Sequence, residues 1–217
     1  MVGHQTEEEQ IEAIKRWWER NGKFVILGVI VVIASVVGTR AWQNFELTNS
    51  GKVSAQYDLM MKEIEDDRID SAIQRGKDII DNNSEMMYAT LAALAIAKLH
   101  INTSEYEQAV ERLKWALNKT TTGELQHIIR LRLARALLAA GQLNEALSYA
   151  NFPQPDKFSA QYAVVKGDIY YKKGELASAQ TAYKSAIDDK ELGSQLRTFV
   201  QTKLDDLGST LTAEATQ

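Results

Sequence analysis

The sequence predicts an all-α protein in which one N-terminal membrane-spanning helix precedes a stack of α-hairpins closed by a C-terminal helix. Three observations support this fold class. The 217 residues include only two prolines and twelve glycines, so helix breakers are scarce. One uncharged run rich in valine and isoleucine lies near the N-terminus, and small residues recur at nearly constant spacing behind it.

The composition excludes several classes of function. The formal net charge is −4 and the pI is about 5.5, which is not the basic balance that nucleic-acid binding requires. Cysteine is absent, so disulfides, thiol nucleophiles and cysteine metal ligands are absent too. We therefore expect no nucleic-acid partner.

The first element is a transmembrane anchor over residues 23–43. Sixteen uncharged residues, Phe24 to Thr39, lie between Lys23 and Arg40, and both of these basic side chains are long enough to reach the membrane surface. Tryptophan and phenylalanine flank the run where interfacial aromatic belts form. These flanking residues are Trp17, Trp18, Trp42 and Phe45. The alternative is a buried core helix.

The basic residues that flank the anchor predict its direction. More of them precede the apolar run than follow it, which places residues 1–22 in the cytoplasm and the larger C-terminal part on the other side of the membrane. Those that precede it are Lys15, Arg16, Arg20 and Lys23, and those that follow are Arg40 and Lys52. No Ala-x-Ala-like cleavage site follows the run, so we expect an uncleaved signal anchor.

The second element is a helical repeat domain over residues 44–207. A small residue opens the second helix of each predicted hairpin, at Ala72, Ala109, Ala146 and Ala179, with intervals of 37, 37 and 33. The segment from Tyr162 also places glycines and tyrosines as two close antiparallel helices require. This pattern resembles the tetratricopeptide repeat and indicates a solenoid. The relevant residues are Gly167, Tyr170, Gly174, Tyr183 and Ala186.

Local signals predict where the helices begin and end. Ser104 to Glu107 has the pattern of a capping box, and Thr120 to Gly123 and Asn151 to Pro155 have the composition of breaks. A capping helix should end the domain, and residues 208–217 should form a flexible tail. The predicted helices cover 51–65, 68–81, 85–102, 105–118, 124–140, 143–151, 158–173, 176–189 and 193–207.

A search for catalytic chemistry finds no candidate. Histidines 4, 100 and 127 have no second metal ligand at a recognised spacing, and no phosphate-binding glycine loop or serine-hydrolase elbow is present. His100 occupies a repeat position at which an aromatic side chain commonly packs. We predict that the chain is not an enzyme and has no catalytic, cofactor-binding or metal-binding residues, and no cofactor.

A hairpin solenoid offers a concave surface lined by the first helix of each pair. Much of the predicted surface is apolar, and Lys98, Arg135 and Asp168 could select a partner by charge. Two interpretations remain open: a groove for a hydrophobic peptide or partner helix, or a set of residues that pack against one another. The predicted surface comprises Tyr57, Met61, Ile64, Leu91, Leu94, Lys98, Ile101, Ile128, Leu131, Arg135, Leu138, Val164, Asp168 and Tyr171.

The N-terminal 45 residues carry a more specific resemblance. The stretch Ile11-Glu-Ala-Ile-Lys-Arg-Trp-Trp18, then Asn21-Gly-Lys23, the single span and Arg40-Ala-Trp42 resemble the YfgM family, the ancillary subunit of the SecYEG translocon in Gram-negative bacteria. The resemblance implies a single-pass inner-membrane protein with a periplasmic repeat domain. It also implies association with SecYEG and with the periplasmic chaperone PpiD.

Two functions follow from these expectations. The first is a membrane-anchored interaction subunit of the translocon that helps pass exported polypeptides to periplasmic chaperones. The second is a membrane-tethered tetratricopeptide adaptor or scaffold for another envelope assembly complex, which the repeats alone would fit equally well. In both, residues 23–43 lie in the lipid bilayer.

Overall fold

The computed structural model describes residues 7–120, 123–152, 157–190 and 192–214, and within these ranges it contains helices and no strand. The all-α fold class is therefore confirmed. The helices are α1 (Glu7–Glu65), α2 (Ile69–Asn82), α3 (Met87–Asn102), α4 (Tyr106–Lys119), α5 (Gly123–Ala139), α6 (Leu143–Ala150), α7 (Ser159–Lys172), α8 (Leu176–Asp188) and α9 (Ser194–Glu214). The chain divides into two compact units, Met1–Lys52 and Val53–Gln217.

The first unit holds most of α1. The segment Gln10–Arg40 of this helix is long and apolar enough to cross a membrane, judged by length and composition. Its large apolar side chains are exposed, as Phe24 is at 74%, so the segment does not have the burial of a core helix. Trp17 and Trp18 are also about half exposed. The side chains of residues 41–49, which include the predicted belt residues Trp42 and Phe45, lie outside the described residues.

Helix α1 has no break where the sequence suggested one. A separate helix was expected to begin at 51, but α1 continues from Glu7 to Glu65. The reason is visible in the sequence, because residues 41–50 contain neither proline nor glycine and Gly51 alone does not stop a helix.

The second unit consists of four hairpins and a terminal helix. The hairpins are α3 with α4, α5 with α6, and α7 with α8, and α9 packs on α8. The end of α1 from Val53 forms a hairpin with α2, because Arg75 bonds Glu63 and Met60 lies against Gly76. Ala72, Ala109, Ala146 and Ala179 are completely buried. The intervals read from the sequence therefore mark equivalent core positions.

The turns within the hairpins repeat the same backbone geometry. Asp67, Ser104, Gly141 and Gly174 have φ of 58°, 60°, 75° and 78°, and each precedes its buried alanine by five residues. In every turn the residue after the positive-φ residue donates its backbone N–H to the carbonyl of the residue five positions before it, as Glu175 does to Tyr170 at 2.9 Å. This is the Schellman arrangement that ends helices. The register of 37, 37 and 33 is thus confirmed in the backbone.

The capping box predicted at Ser104 is wrong. Ser104 is the left-handed residue of its turn, the helix cap is Glu105, and no side chain caps α4. A residue with positive φ cannot hold its hydroxyl over the first turn of the next helix. The Glu105 carboxylate instead bonds Nδ1 of His100 at 2.5 Å, and this bond lowers the carboxyl pKa.

Helix boundaries otherwise agree with expectation within two residues, except at the C-terminus. Helix α9 continues to Glu214 rather than ending at 207, because a glycine such as Gly208 weakens a helix interior without breaking it. Residues 215–217 of the predicted tail lie outside the described residues, as do positions 121–122 and 153–156 of the two predicted breaks.

Two clusters of buried side chains form the core. The larger extends from Val53 to Ile169 and joins the first three hairpins to α7, and the smaller joins α7, α8 and α9. In the fourth hairpin the ring of Tyr183, which is 1% exposed, lies against Gly167. A Cβ at that glycine would be 2.4 Å from the ring. The small residue and the aromatic plug predicted for this hairpin are therefore in place.

Candidate protein-binding face

The first helices of the hairpins, α1 from Val53, α3, α5 and α7, form a surface that we call the first-helix face. The fourteen residues predicted to line it come mostly from three repeat positions, which the structure separates by burial. The first position holds Tyr57, Leu94, Leu131 and Val164. Leu94, Leu131 and Val164 are 8%, 5% and 2% exposed, and Tyr57 packs on the core. These side chains hold the hairpins together and are not free to meet a partner.

The second position is the accessible one. It holds Met61, Lys98, Arg135 and Asp168. Lys98 and Arg135 are exposed, whereas Met61 and Asp168 are half-buried. The polar residues that the sequence singled out for partner selection therefore occupy equivalent places on successive hairpins.

The third position lies one turn further on, next to the hairpin turns. It holds Ile64, Ile101, Leu138 and Tyr171. Ile64 and Leu138 pack on the core, while Ile101 and Tyr171 are 37% and 54% exposed. Ile128, one of the two remaining predicted residues, is 38% exposed, and Leu91 is half-buried. The face thus presents separated apolar side chains beside charged ones.

A cavity of about 460 Å³ lies where this face meets the terminal helix. It brings together Leu138, Asp168 and Tyr171 from the predicted set. Tyr183, which the repeat pattern predicted as a packing residue, also lines the cavity. The remaining lining residues carry no local sequence signal, and they are Ala139, Lys172, Lys203, Asp206 and Leu207. Its walls are more apolar than polar, so it could receive an apolar side chain of a bound segment.

Asp168 organises the wall of this cavity. Its Oδ1 accepts a hydrogen bond of 2.7 Å from the Tyr183 hydroxyl and a charged bond from the Lys203 ammonium. Burial is the main reason why the pKa of Tyr183 is raised, so the phenol stays a donor. The Lys203 ammonium also lies 4.7 Å from the ring centroid of Phe199. Helix α9 is thereby tied to α7.

Arg135 is exposed on the same face. Partial loss of hydration lowers the pKa of its guanidinium, an effect that the charge of Asp168 opposes.

Neither described histidine of the repeat domain forms a catalytic arrangement. His100 is bonded to Glu105 and its side chain is 13% exposed. His127 stacks on Phe158 with ring centroids 5.0 Å apart, and its Nδ1 lies 3.1 Å from the Tyr162 hydroxyl. Burial lowers the pKa of His127, so this residue packs as a neutral aromatic ring. Among the described residues, no group of three metal-binding side chains occurs.

Comparison with known proteins agrees with this architecture. A family model described as a tetratricopeptide repeat-like domain matches residues 15–209, a range that includes both the apolar segment and the hairpins. The chain is 31% identical to the ancillary SecYEG translocon subunit of Haemophilus influenzae, over 93% of this chain and 97% of that protein.

Two further relatives carry the same name. The protein of Aggregatibacter actinomycetemcomitans is 29% identical over 93% of this chain and 97% of its own length. The protein of Escherichia coli K12 is 26% identical over 94% and 98%, respectively. The resemblance drawn from the N-terminal residues is therefore confirmed. The chain belongs to the family of ancillary SecYEG translocon subunits, which is built on a tetratricopeptide repeat-like domain.

Proposed function

We propose that this chain is a membrane-anchored adaptor that associates with the SecYEG translocon and binds other proteins through its first-helix face. The observation that carries the proposal is the combination, in one chain, of a membrane-crossing segment and a hairpin domain with an accessible face of mixed apolar and charged residues. The relatives, whose names state a translocon role, match nearly the whole chain and support the same function. The chain acts by binding rather than by catalysis.

The membrane anchor determines on which side of the membrane the hairpin domain lies. We infer that residues 23–43 cross the inner membrane once, with residues 1–22 in the cytoplasm and the hairpins in the periplasm. The excess of basic residues before the span supports this orientation. Exported polypeptides emerge on the periplasmic side, so the first-helix face would lie near them.

A role in transfer to chaperones follows from that location. We infer that the domain helps pass exported polypeptides to periplasmic chaperones and that PpiD is a partner. The exposed apolar residues of the face, Ile101, Ile128 and Tyr171, support binding to unfolded or partly folded segments. The alternative, an adaptor for another envelope complex, uses the same face and differs only in its partner.

Co-purification from gently solubilised membranes distinguishes the two. The tagged full chain should bring SecY with it, and PpiD as well if the transfer role is correct. A variant with Lys98→Glu, Arg135→Glu and Tyr171→Glu should remain in the membrane and lose its periplasmic partner. Recovery of another envelope complex without SecY would contradict the translocon role and support the alternative.

Topology can be tested cleanly because the chain has no cysteine. Single cysteines placed at Glu19 and at Thr181, both exposed, report on the two sides of the anchor. A membrane-impermeant maleimide added to intact spheroplasts should label Thr181→Cys and spare Glu19→Cys. The reverse pattern would overturn the orientation.

A further inference from the structure

Acidic residues are distributed unevenly between helices α3, α5 and α7 and the second helices of the hairpins, although both groups carry the same number of bases. Among the first helices, α3, α5 and α7 together carry six bases and two acids, whereas the part of α1 from Val53 carries one base and three acids. The second helices α2, α4, α6 and α8 carry six bases and seven acids. The whole chain has a net charge of −4, so the positive balance of α3, α5 and α7 is local. The six bases are Lys98, Arg130, Arg132, Arg135, Lys166 and Lys172.

The ion pairs make this difference sharper. Within the described residues, none of the six bases on α3, α5 and α7 forms a salt bridge, whereas four of the six on the second helices do. The two acidic residues on α3, α5 and α7 both form salt bridges. Glu124 pairs with Lys157, and Asp168 pairs with Lys203. The positive charge on α3, α5 and α7 therefore has no unpaired carboxylate on these three helices to neutralise it.

These charges lie beside apolar side chains that a partner can reach. Lys98, Arg132, Arg135 and Lys172 are exposed, and Lys172 lines the same cavity as Tyr171. Ile101 follows Lys98 by one helical turn on α3. On α3 and α7 a cationic side chain thus lies near an exposed apolar one, and Asp206 of α9 also lines the cavity.

We propose that the first-helix face binds a segment that carries acidic side chains beside apolar ones, with an apolar side chain in the cavity next to Asp168 and carboxylates near Lys98, Arg135 and Lys172. This inference rests on the proposed protein-binding function and adds the chemistry of the partner. Complementary charge raises the association rate and excludes partners of the wrong sign. Basic segments are excluded by the same charges.

An anionic lipid surface would offer similar charges but fits the geometry less well. A bilayer surface is broad, whereas the cavity is a recess of about 460 Å³ with a single aromatic residue, Tyr171, exposed at its wall. A peptide can insert one side chain into such a site, so we favour a peptide segment.

The test measures fluorescence anisotropy of a labelled amphipathic peptide against the full chain in detergent micelles. The probe has about 16 residues of leucine, alanine and glutamate, roughly 24 Å as a helix. Two matched peptides, the glutamine twin and the lysine twin, replace every glutamate of the probe by glutamine or by lysine. The variant combines Lys98→Glu, Arg135→Glu and Lys172→Glu. Its control combines Lys77→Glu, Lys184→Glu and Lys190→Glu, three exposed lysines outside the face that also form no salt bridge among the described residues.

We expect the glutamate peptide to bind the parent chain, and we expect its affinity to fall as salt is added. The face variant should lose affinity by about tenfold or more, while the control changes by less than about twofold. The lysine twin should not bind. A neutral variant with glutamine at the same three positions should show an intermediate loss, which guards against misfolding of the charge-reversed protein.

Three results would overturn the inference. The first is equal binding of the glutamine and glutamate peptides, which would leave a protein-binding face without charge selection and keep the proposed function intact. The second is an equal loss of affinity for the glutamate peptide in the face variant and in its control. The third is charge-dependent binding to phosphatidylglycerol vesicles without peptide binding, which would assign the face to lipid.

Discussion

The first and fourth hairpins have the same backbone but fill it with different chemistry. In each, one buried side chain lies against a glycine of the neighbouring helix. In the first hairpin Met60 of the first helix lies over Gly76 of the second helix, whereas in the fourth hairpin Tyr183 of the second helix lies over Gly167 of the first helix. Met60 is flexible and can be displaced at its tip, whereas the tyrosine ring is rigid and held by its hydroxyl bond to Asp168.

The turns of these hairpins differ in the same way. Asp67 turns the first hairpin with φ of 58°, and Gly174 turns the fourth with φ of 78°. Positive φ is strained for an L-residue because of its Cβ, and it is not strained for glycine. The comparison teaches that the repeat is defined by backbone positions, while the energetic cost of occupying each position differs between copies.

The largest effect should come from Gly167→Ala. The added Cβ would lie 2.4 Å from two ring carbons of Tyr183, and the ring cannot move without losing its bond to Asp168. We expect the free energy of unfolding to fall by about 3 kcal/mol, measured by urea denaturation of the full chain in detergent. Adding Tyr183→Leu should restore part of the loss. A neutral Gly167→Ala would show that the close contact does not exist.

Gly76→Ala should cost less than Gly167→Ala. Its Cβ would lie 2.8 Å from Cε of Met60 and from Cδ1 of Ile96, both of which are ends of flexible side chains. We expect a loss of about 1.5 kcal/mol in the same assay. Gly208→Ala is a suitable control, because a Cβ there would meet no atom within 4 Å. A larger loss at Gly76 than at Gly167 would reverse our ranking of the two hairpins.

The turns should respond in opposite directions. Asp67→Gly should raise the free energy of unfolding by about 0.5 kcal/mol, because glycine adopts positive φ without strain. Gly174→Ala should lower it by about 1 kcal/mol, although a Cβ there meets nothing within 4 Å. Thermal denaturation followed by circular dichroism measures both. Changes of the same sign would contradict the assigned turn geometry.

We expect the smallest effect from Glu63→Gln, and it should depend on pH. Two hydrogen bonds from Arg75, of 2.9 and 2.7 Å, hold the pKa of Glu63 below its ordinary value of 4.5. The pair therefore stabilises the fold above that ordinary pKa, and its contribution is lost as pH falls through the lowered value. The melting temperatures of parent and variant should differ at pH 7 and converge in acid. A difference that persists at low pH would exclude this ion pair as its cause.

The repeat register was predictable because it depends on spacing alone. The buried alanines and the left-handed turn residues are separated by the same 37, 37 and 33 residues. The apolar anchor was predictable for a similar reason, since a run of uncharged residues is a local signal. Local capping was less reliable, because Ser104 has the residue type of a cap but the backbone of a turn.

The candidate site was only partly predictable. Repeat spacing placed Lys98, Arg135 and Asp168 at equivalent positions, but it could not separate accessible residues from Leu94 and Leu131, which face the core. Lys203 was missed because it reaches Asp168 across 35 residues of sequence. Among the described residues, the bases of α3, α5 and α7 lack carboxylate partners, and this too depends on long-range contacts that no local pattern encodes.

The most direct test of the account is position-resolved photocrosslinking of the full chain in living cells. A photoreactive amino acid replaces Lys98, Arg135 or Tyr171 on the first-helix face, and Thr181 or Ser185 on α8 serves as the control, since all five are exposed. We expect crosslinks to translocon subunits, chaperones or exported polypeptides from the first three positions and few from α8. Equal crosslinking from both helices, or capture from α8 alone, would contradict the assignment of the first-helix face as the binding surface.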